Sequence, residues 1–127
     1  MAYLHSLRVR YGELDPQGVV FNANYLAYCD DAMDCWVRDC VPEGLEAMGY
    51  DLMLKKAVLE WHAPARLLDA LEIAVSVAHW GKTSFEVRFE ARILGEPAFE
   101  ANITYVGVRH GTNTPTPIPP EIRSRLE

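Results

Sequence analysis

The sequence predicts an α+β fold in which a curved antiparallel sheet wraps around one long central helix. Three observations lead to this prediction: an alternating segment near the start, one long apolar stripe of helical period, and several alternating segments after residue 52. A sheet that curls around a single helix buries the apolar faces of both elements together. With 127 residues and no internal repeat, the chain is expected to form one domain over residues 1–127.

The first strand is predicted over residues 4–11. Leu7, Val9 and Tyr11 point to one face of this segment and polar residues to the other, which is the period of two of a strand with one wet face. Residues 12–18 then contain two glycines and a proline, a composition that predicts a loop.

The central helix is predicted from residue 22 to about residue 40. Its apolar side chains fall on one broad stripe of helical period: Tyr25, Leu26, Cys29, Ala32, Met33, Trp36, Val37 and Cys40. Asn22 and Asn24 are of a residue type favoured at helix starts, and Pro42 ends the element. A short second helix is expected near residues 43–48.

The second half of the chain is predicted to contain the remaining strands. One ends within LEWHAPAR, residues 59–66, and clean alternation predicts three more over residues 71–80, 83–94 and 98–108. The residues LGEP before the last strand predict a hairpin turn. A proline-rich tail over about residues 111–127 follows, with one or two helical turns expected near its end.

Composition argues against several classes of function. The net charge of −6 and the lack of a basic stripe argue against nucleic acid as a partner, and any anionic ligand must be held by a local basic cluster. No apolar run of about 18 residues is present, and the first residues lack the continuous apolar block of a signal peptide. We therefore expect a cytoplasmic protein with no membrane partner.

The cysteines and histidines give no sign of a metal centre. Three cysteines fall within the predicted helix: Cys29, Cys35 and Cys40. They lack paired spacing and are expected to be reduced core thiols. Four histidines are scattered along the chain: His5, His62, His79 and His110. None has metal-ligand spacing or adjoins a nucleophile, so no metal is expected, and His79, Trp36 and Trp61 are expected in the core.

The stretch YGELDPQGVVFNANY, residues 11–25, is the strongest candidate for a functional site. Asp15 lies in an Asp-Pro-x-Gly quartet, which by itself is an ordinary turn. Pro16 pushes Asp15 into extended geometry and stiffens the turn, and Gly18 permits close approach of the backbone to a ligand. The quartet leads directly into the predicted helix, so the carboxylate precedes a helix N-terminus.

Residues 15–25 resemble the D-P-x-G-(I/V)-V-F-x-x-N-Y loop of hotdog-fold thioesterases of the 4-hydroxybenzoyl-CoA type. The acid fifteen positions beyond Asp15, Asp30, also fits the pattern of that family. The segment HWGKTSFEVRF, residues 79–89, is similar to a family segment of tryptophan, basic residues, serine and phenylalanine. The resemblance covers residues 7 to about 108 and implies the hotdog fold.

The resemblance also implies an activity, the hydrolysis of an acyl-CoA thioester; it favours an aromatic acyl group and leaves short acyl chains open. Asp15 would be the nucleophile or the general base, and the backbone N–H of Asn22 would stabilise the oxyanion. Because coenzyme A is part of the substrate, no cofactor is expected. Members of the family pair into dimers and often tetramers with active sites between subunits, so a homodimer or homotetramer is expected.

Further residues take supporting roles by the same resemblance. Gly18 and Tyr25 are expected to contact the substrate, and Lys82 fits one position of the family's phosphate-binding basic run. Most of that run is missing, so either another subunit supplies charge or the thioester is carried differently, for example by an acyl carrier protein. Pro16 stiffens the Asp15 turn, and Asp30 either braces the loop or is simply solvated.

Two other functions remain open from the sequence. A hotdog enoyl-CoA hydratase or dehydratase would need a histidine acting with an acid on one acyl chain, and no histidine lies in a recognisable motif. A non-catalytic protein that binds acyl thioesters would bind them without releasing a thiol.

Overall fold

The computed structural model describes residues 2–127 and contains the predicted elements. They are β1 (Tyr3–Arg8), a 3-10 turn (Tyr11–Glu13), α1 (Asn22–Cys40), a second 3-10 turn (Leu45–Met48), β2 (Tyr50–Trp61), β3 (Ala70–Trp80), β4 (Ser84–Ile93), β5 (Glu96–Arg109) and α2 (Pro120–Arg125). The helix prediction from residue 22 to about 40 is therefore confirmed. Within residues 2–127, no helix combines the length and apolarity needed to cross a bilayer.

The five strands form one antiparallel sheet in the order β1-β3-β4-β5-β2, so the predicted fold class is confirmed. One face of the sheet packs against α1, whose buried residues belong to the predicted stripe and its neighbours: Tyr25, Tyr28, Cys29, Ala32, Met33 and Trp36. Strands β1 and β2 are the two edges of the sheet. The order leaves β2, the edge strand of 12 residues, paired with β5 on one side only.

Three residues depart from the predicted pattern for identifiable reasons. Tyr11 is 82% exposed because the strand ends at Arg8 and Tyr11 begins a 3-10 turn instead. His79 is exposed and not in the core, because a bulge between Val77 and His79 shifts the register of β3. Trp61 is 49% exposed at the end of the edge strand, so its predicted place in the core was wrong, whereas Trp36 is buried as expected.

The proline-rich tail packs onto the domain. Its three buried side chains, Ile118, Ile122 and Leu126, join the same apolar core as α1 and the sheet. The N–H of Ile118 donates to the Lys82 carbonyl at 2.9 Å. Because the buried apolar groups recur every four residues, α2 presents one face to the core.

Tyr50 carries a buried hydroxyl with an unusual environment. The side chain is 1% exposed, and its hydroxyl lies against Gly107. A methyl side chain at position 107 would overlap this hydroxyl. Within residues 2–127, this hydroxyl is the one buried side-chain polar atom without a hydrogen-bond partner. A buried, unpaired polar group carries a desolvation cost of about 1–3 kcal/mol.

The Tyr50→Phe variant is therefore expected to raise the free energy of unfolding by about 1 kcal/mol or more, measured by urea denaturation. Tyr105→Phe is the control, because the Tyr105 hydroxyl donates to Asp30 at 3.4 Å and its removal should not stabilise the protein. A less stable Tyr50→Phe variant would show that the hydroxyl has a partner in solution.

Candidate active site

The Asp15 loop is a closed turn held by hydrogen bonds. The Asp15 N–H donates to the Val19 carbonyl at 2.8 Å, and the Gly18 N–H donates to the Asp15 carbonyl at 3.0 Å. Gly18 has φ +80°, which glycine adopts without strain. Oδ1 of Asp15 accepts a hydrogen bond from the Gln17 N–H at 2.8 Å, and the Asp15 side chain is half-buried. The carboxylate is thus positioned by its own loop, and Oδ2 accepts no hydrogen bond from any other group in residues 2–127.

The loop is attached to the segment between β2 and β3. Val19 forms an isolated antiparallel bridge with Arg66, and the Val20 N–H donates to the Ala65 carbonyl at 2.9 Å. The Ala65 N–H in turn donates to the hydroxyl of Tyr25 at 3.1 Å. Tyr25 is 2% exposed, so it supports the segment that holds the loop and presents little surface to a ligand.

Glu13 organises the start of the loop, a role that the sequence analysis missed. Its carboxylate accepts hydrogen bonds from the Arg10 guanidinium at 2.7 Å and from the Tyr28 hydroxyl at 2.8 Å. Its carbonyl accepts from the Phe21 N–H at 2.9 Å. Partial burial acts to raise the pKa of Glu13, but hydrogen bonds from Arg10 and Tyr28 hold it below its usual value. The Arg-x-x-Glu spacing was the signal that could have revealed this contact.

The N-terminus of α1 offers free backbone donors. Helix α1 begins at Asn22, and its N-cap residue, Phe21, makes no side-chain capping hydrogen bond. The Asn24 N–H donates to the Phe21 carbonyl at 2.8 Å, and the Asn24 side-chain amide donates to the backbone carbonyl of Glu13 at 2.9 Å. Across residues 2–127, no acceptor is found for the N–H groups of Asn22 and Ala23. These groups and the helix dipole favour a developing negative charge.

A cleft of about 280 Å³ opens beside this helix end. It is lined by Val19, Val20, Asn22, Tyr25, Trp61, His62, Ala63 and Pro64. Asp15 does not line the cleft, and it precedes the first lining residue, Val19, by four positions. The cleft therefore brings together the helix N-terminus and an aromatic wall, with the carboxylate loop adjoining it along the chain.

His62 is a second residue of this region that sequence reasoning missed. It follows β2 directly, lines the cleft, and its Nε2 lies 3.6 Å from Oε2 of Glu100. The histidine showed no motif in the sequence, because its relation to the helix N-terminus depends on the packing of β2 against the loop. A histidine placed between a strand end and a proline was the only local signal.

Two predicted site residues, Lys82 and Asp30, do not contact the Asp15 loop. Lys82 is in the turn after β3, whereas the Asp15 loop contacts Arg66, just before β3. The 11 residues of β3 separate these positions, and a strand of that length spans roughly 35 Å. Asp30 accepts a hydrogen bond from Tyr105 of β5 at 3.4 Å, and burial raises the pKa of Asp30. Within one chain, Lys82 and Asp15 therefore lie at opposite ends of β3. The side chain of Asp30 is hydrogen-bonded to β5 and not to the Asp15 loop.

Comparison with known proteins identifies the family. The family model described as the thioesterase-like superfamily matches residues 9–126, almost all of the 127 residues. The chain belongs to the thioesterase-like superfamily. An acyl-CoA thioester hydrolase, YbgC, from Escherichia coli O6:H1 is 34% identical to this member over 80 residues, which are 61% of this chain and 60% of the relative. The chain thus spans about three fifths of the length of that curated relative.

Solved structures show that this superfamily member has the hotdog fold predicted from its sequence. A hypothetical protein from Aquifex aeolicus superposes with a TM-score of 0.90 and 23% identity, over 98% of this chain and 99% of that one. A Thermus thermophilus thioesterase complexed with coenzyme A and zinc superposes with a TM-score of 0.84 and 26% identity, over 97% of this chain and 90% of that one.

Proposed function

We propose that this superfamily member hydrolyses acyl-CoA thioesters. The observation that carries the proposal is the arrangement of a single positioned carboxylate, Asp15, on a loop that runs directly into a helix N-terminus with free N–H groups. A cleft of about 280 Å³ adjoins that helix end and provides room for a thioester. The relatives named as thioester hydrolases and the coenzyme A complex support the same activity.

Asp15 serves as the nucleophile or as the general base. As nucleophile, a carboxylate oxygen attacks the thioester carbonyl, the C–S bond breaks, and the thiolate takes a proton from water, leaving a mixed anhydride that a second water cleaves. As general base, the carboxylate removes a proton from the water that attacks the carbonyl; the tetrahedral intermediate then collapses with cleavage of the C–S bond, and the thiolate takes the proton from Asp15. In both routes the carbonyl oxygen becomes negative, and a hydrogen bond from the Asn22 N–H contributes about 3 kcal/mol to its stabilisation.

The cleft favours a flat or short acyl group. Trp61 packs edge-on against Tyr25 with ring centroids 5.9 Å apart, so the wall of the cleft is aromatic. Aromatic walls stack with planar groups at little cost in conformational entropy. We therefore infer an aromatic or short aliphatic acyl group, with Gly18 allowing the substrate to approach the loop. The reaction needs no cofactor, because coenzyme A enters as part of the substrate.

A homodimer completes this site. Edge strand β2 exposes several large apolar side chains: Met53, Leu54, Val58 and Trp61. An exposed edge strand with free backbone groups pairs readily with another strand, so β2 of a second copy is the natural occupant. Because Trp61 belongs to both this edge and the cleft, a dimer would place partner surface beside the cleft and give residues such as Lys82 of one copy access to the other.

A thiol-release assay over aromatic and aliphatic CoA thioesters tests the proposal. We expect release of coenzyme A with saturation kinetics and a preference for aromatic or short acyl groups. Tight binding without thiol release would instead assign a non-catalytic acyl-thioester-binding role. Hydration of an enoyl-CoA with the thioester intact would assign the hydratase function.

A further inference from the structure

A group of potential metal ligands lies between α1 and β1, the edge strand opposite β2. His5 of β1 meets Asp31 and Cys35 of α1, and one ligand atom of each lies within 4.8 Å of the others. The Nε2 of His5 is 2.9 Å from Oδ2 of Asp31. We propose that His5, Asp31 and Cys35 form a binding site for Zn²⁺ or a divalent cation of similar chemistry.

Regular secondary structure holds the three ligands together. Asp31 and Cys35 are four positions apart on α1 and therefore project from the same face of the helix. His5 is on the face of β1 that packs towards α1, and its side chain is only 12% exposed. The Asp31 side chain is 59% exposed, so the group opens to water on one side. Packing thus orients the imidazole, and solvent can reach the fourth coordination position.

The spacing suits a tetrahedral ion. Zinc bonds of about 2.0–2.3 Å to nitrogen, oxygen and sulfur place neighbouring ligand atoms roughly 3.3–3.8 Å apart. The His5–Asp31 contact of 2.9 Å would open slightly, and the two contacts of Cys35 already lie within 4.8 Å, so small side-chain movements bring all three atoms to this spacing. Imidazole and thiolate are ligands that zinc accepts and that magnesium and calcium disfavour. Three protein ligands with water in the fourth position match the open type of zinc site.

Local charge favours a cation at this position. Asp39 lies on the same helix as Asp31 and accepts a hydrogen bond only from the neutral Tyr3 hydroxyl within residues 2–127, whereas Asp34 is paired with Arg38 at 2.8 Å. The ion pair of Asp31 within these residues is with His5. A second cluster of possible ligands lies near the cleft: Glu60, His62 and Glu100. There the Arg88 guanidinium lies 3.1 Å from the Glu100 carboxylate, so a fixed positive charge opposes cation binding. The His5 cluster is therefore the better site.

Titration of the 127-residue protein with Co²⁺ tests the proposal. A bond between cobalt and a cysteine thiolate produces a charge-transfer absorption band in the near ultraviolet, whereas oxygen and nitrogen ligands alone do not. We expect this band to saturate at one equivalent of Co²⁺ per chain and to disappear when Zn²⁺ is added. His5→Gln and Asp31→Asn should each weaken binding by tenfold or more, since even supporting residues of metal sites contribute about 10–100-fold.

Matched variants separate the proposed site from other possible ligands. Cys35→Ser should abolish the band, whereas Cys40→Ser, which changes another half-buried thiol of α1, should leave it unchanged. His62→Gln should also leave it unchanged. The proposal is overturned if the wild-type protein gives no band, if the band survives in Cys35→Ser, or if His62→Gln removes it. Circular dichroism of each variant without metal shows that helix content is retained.

Discussion

The Asp15→Asn variant is expected to lose at least about 100-fold in kcat for thioester hydrolysis while folding normally. An amide neither attacks the thioester carbonyl nor accepts a proton from water, so both proposed routes fail. The side-chain oxygen of asparagine can still accept the hydrogen bond from the Gln17 N–H, which is 2.8 Å long. The turn should therefore keep its shape. Thiol release measures the activity, and thermal unfolding measures the fold.

Asp69→Asn is the matched control for this experiment. Oδ2 of Asp69 accepts a hydrogen bond from the Arg66 N–H at 2.8 Å, so this carboxylate also holds a turn, but one just before β3 and not the loop that leads into the N-terminus of α1. We expect wild-type kcat in this variant. If Asp15→Asn retained more than a tenth of the activity, Asp15 would not be the reacting group. If both variants lost activity together, the effect would belong to the loops and not to the chemistry of Asp15.

The Leu54→Asp variant is expected to convert a dimer into monomers. Leu54 is 41% exposed on the edge strand β2, beside the groove between that strand and α1. In a dimer joined through β2, the new carboxylate would be buried without a partner, at a cost of about 3–5 kcal/mol. A loss of that size weakens association by a hundredfold or more. Sedimentation equilibrium should show the wild-type dimer and the monomeric variant.

Leu94→Asp provides the control for the association experiment. Leu94 is 95% exposed at the β4–β5 hairpin, where its φ of +51° suits aspartate better than leucine. This variant adds the same charge away from β2 and should remain dimeric. A wild-type protein that sediments as a monomer of 14.3 kDa would contradict the dimer proposal. So would a Leu54→Asp variant that still forms dimers.

The elements were predictable because their signals are local. The stripe from Tyr25 to Cys40 has the period of a helix, and the segments that became β3, β4 and β5 alternate with a period of two. Each pattern reflects one buried face and needs no knowledge of its partner. The exposure of His79 could not be predicted in this way, because a bulge in β3 reverses the alternation and is specified by pairing with β4.

The candidate site was predictable only in part. The motif around Asp15 singled out the loop, and α1 begins at Asn22, the residue predicted to be the oxyanion donor. The loop's support was not predictable, since the Tyr25 hydroxyl and the Ala65 N–H are 40 positions apart along the chain. The separation of Lys82 from Asp15 likewise depends on the direction in which β3 runs.

The amino-acid sequence by itself determined the class of fold, the extent of the central helix and the loop that carries Asp15. These depend on side-chain periodicity and on the turn preferences of proline and glycine, which act over a few neighbouring residues. Only the tertiary structure decided that His62 lines the cleft, that Tyr25 is buried beneath the loop, and that His5 meets Asp31 and Cys35. Those contacts join residues distant in sequence, and packing of the sheet on α1 brings them together.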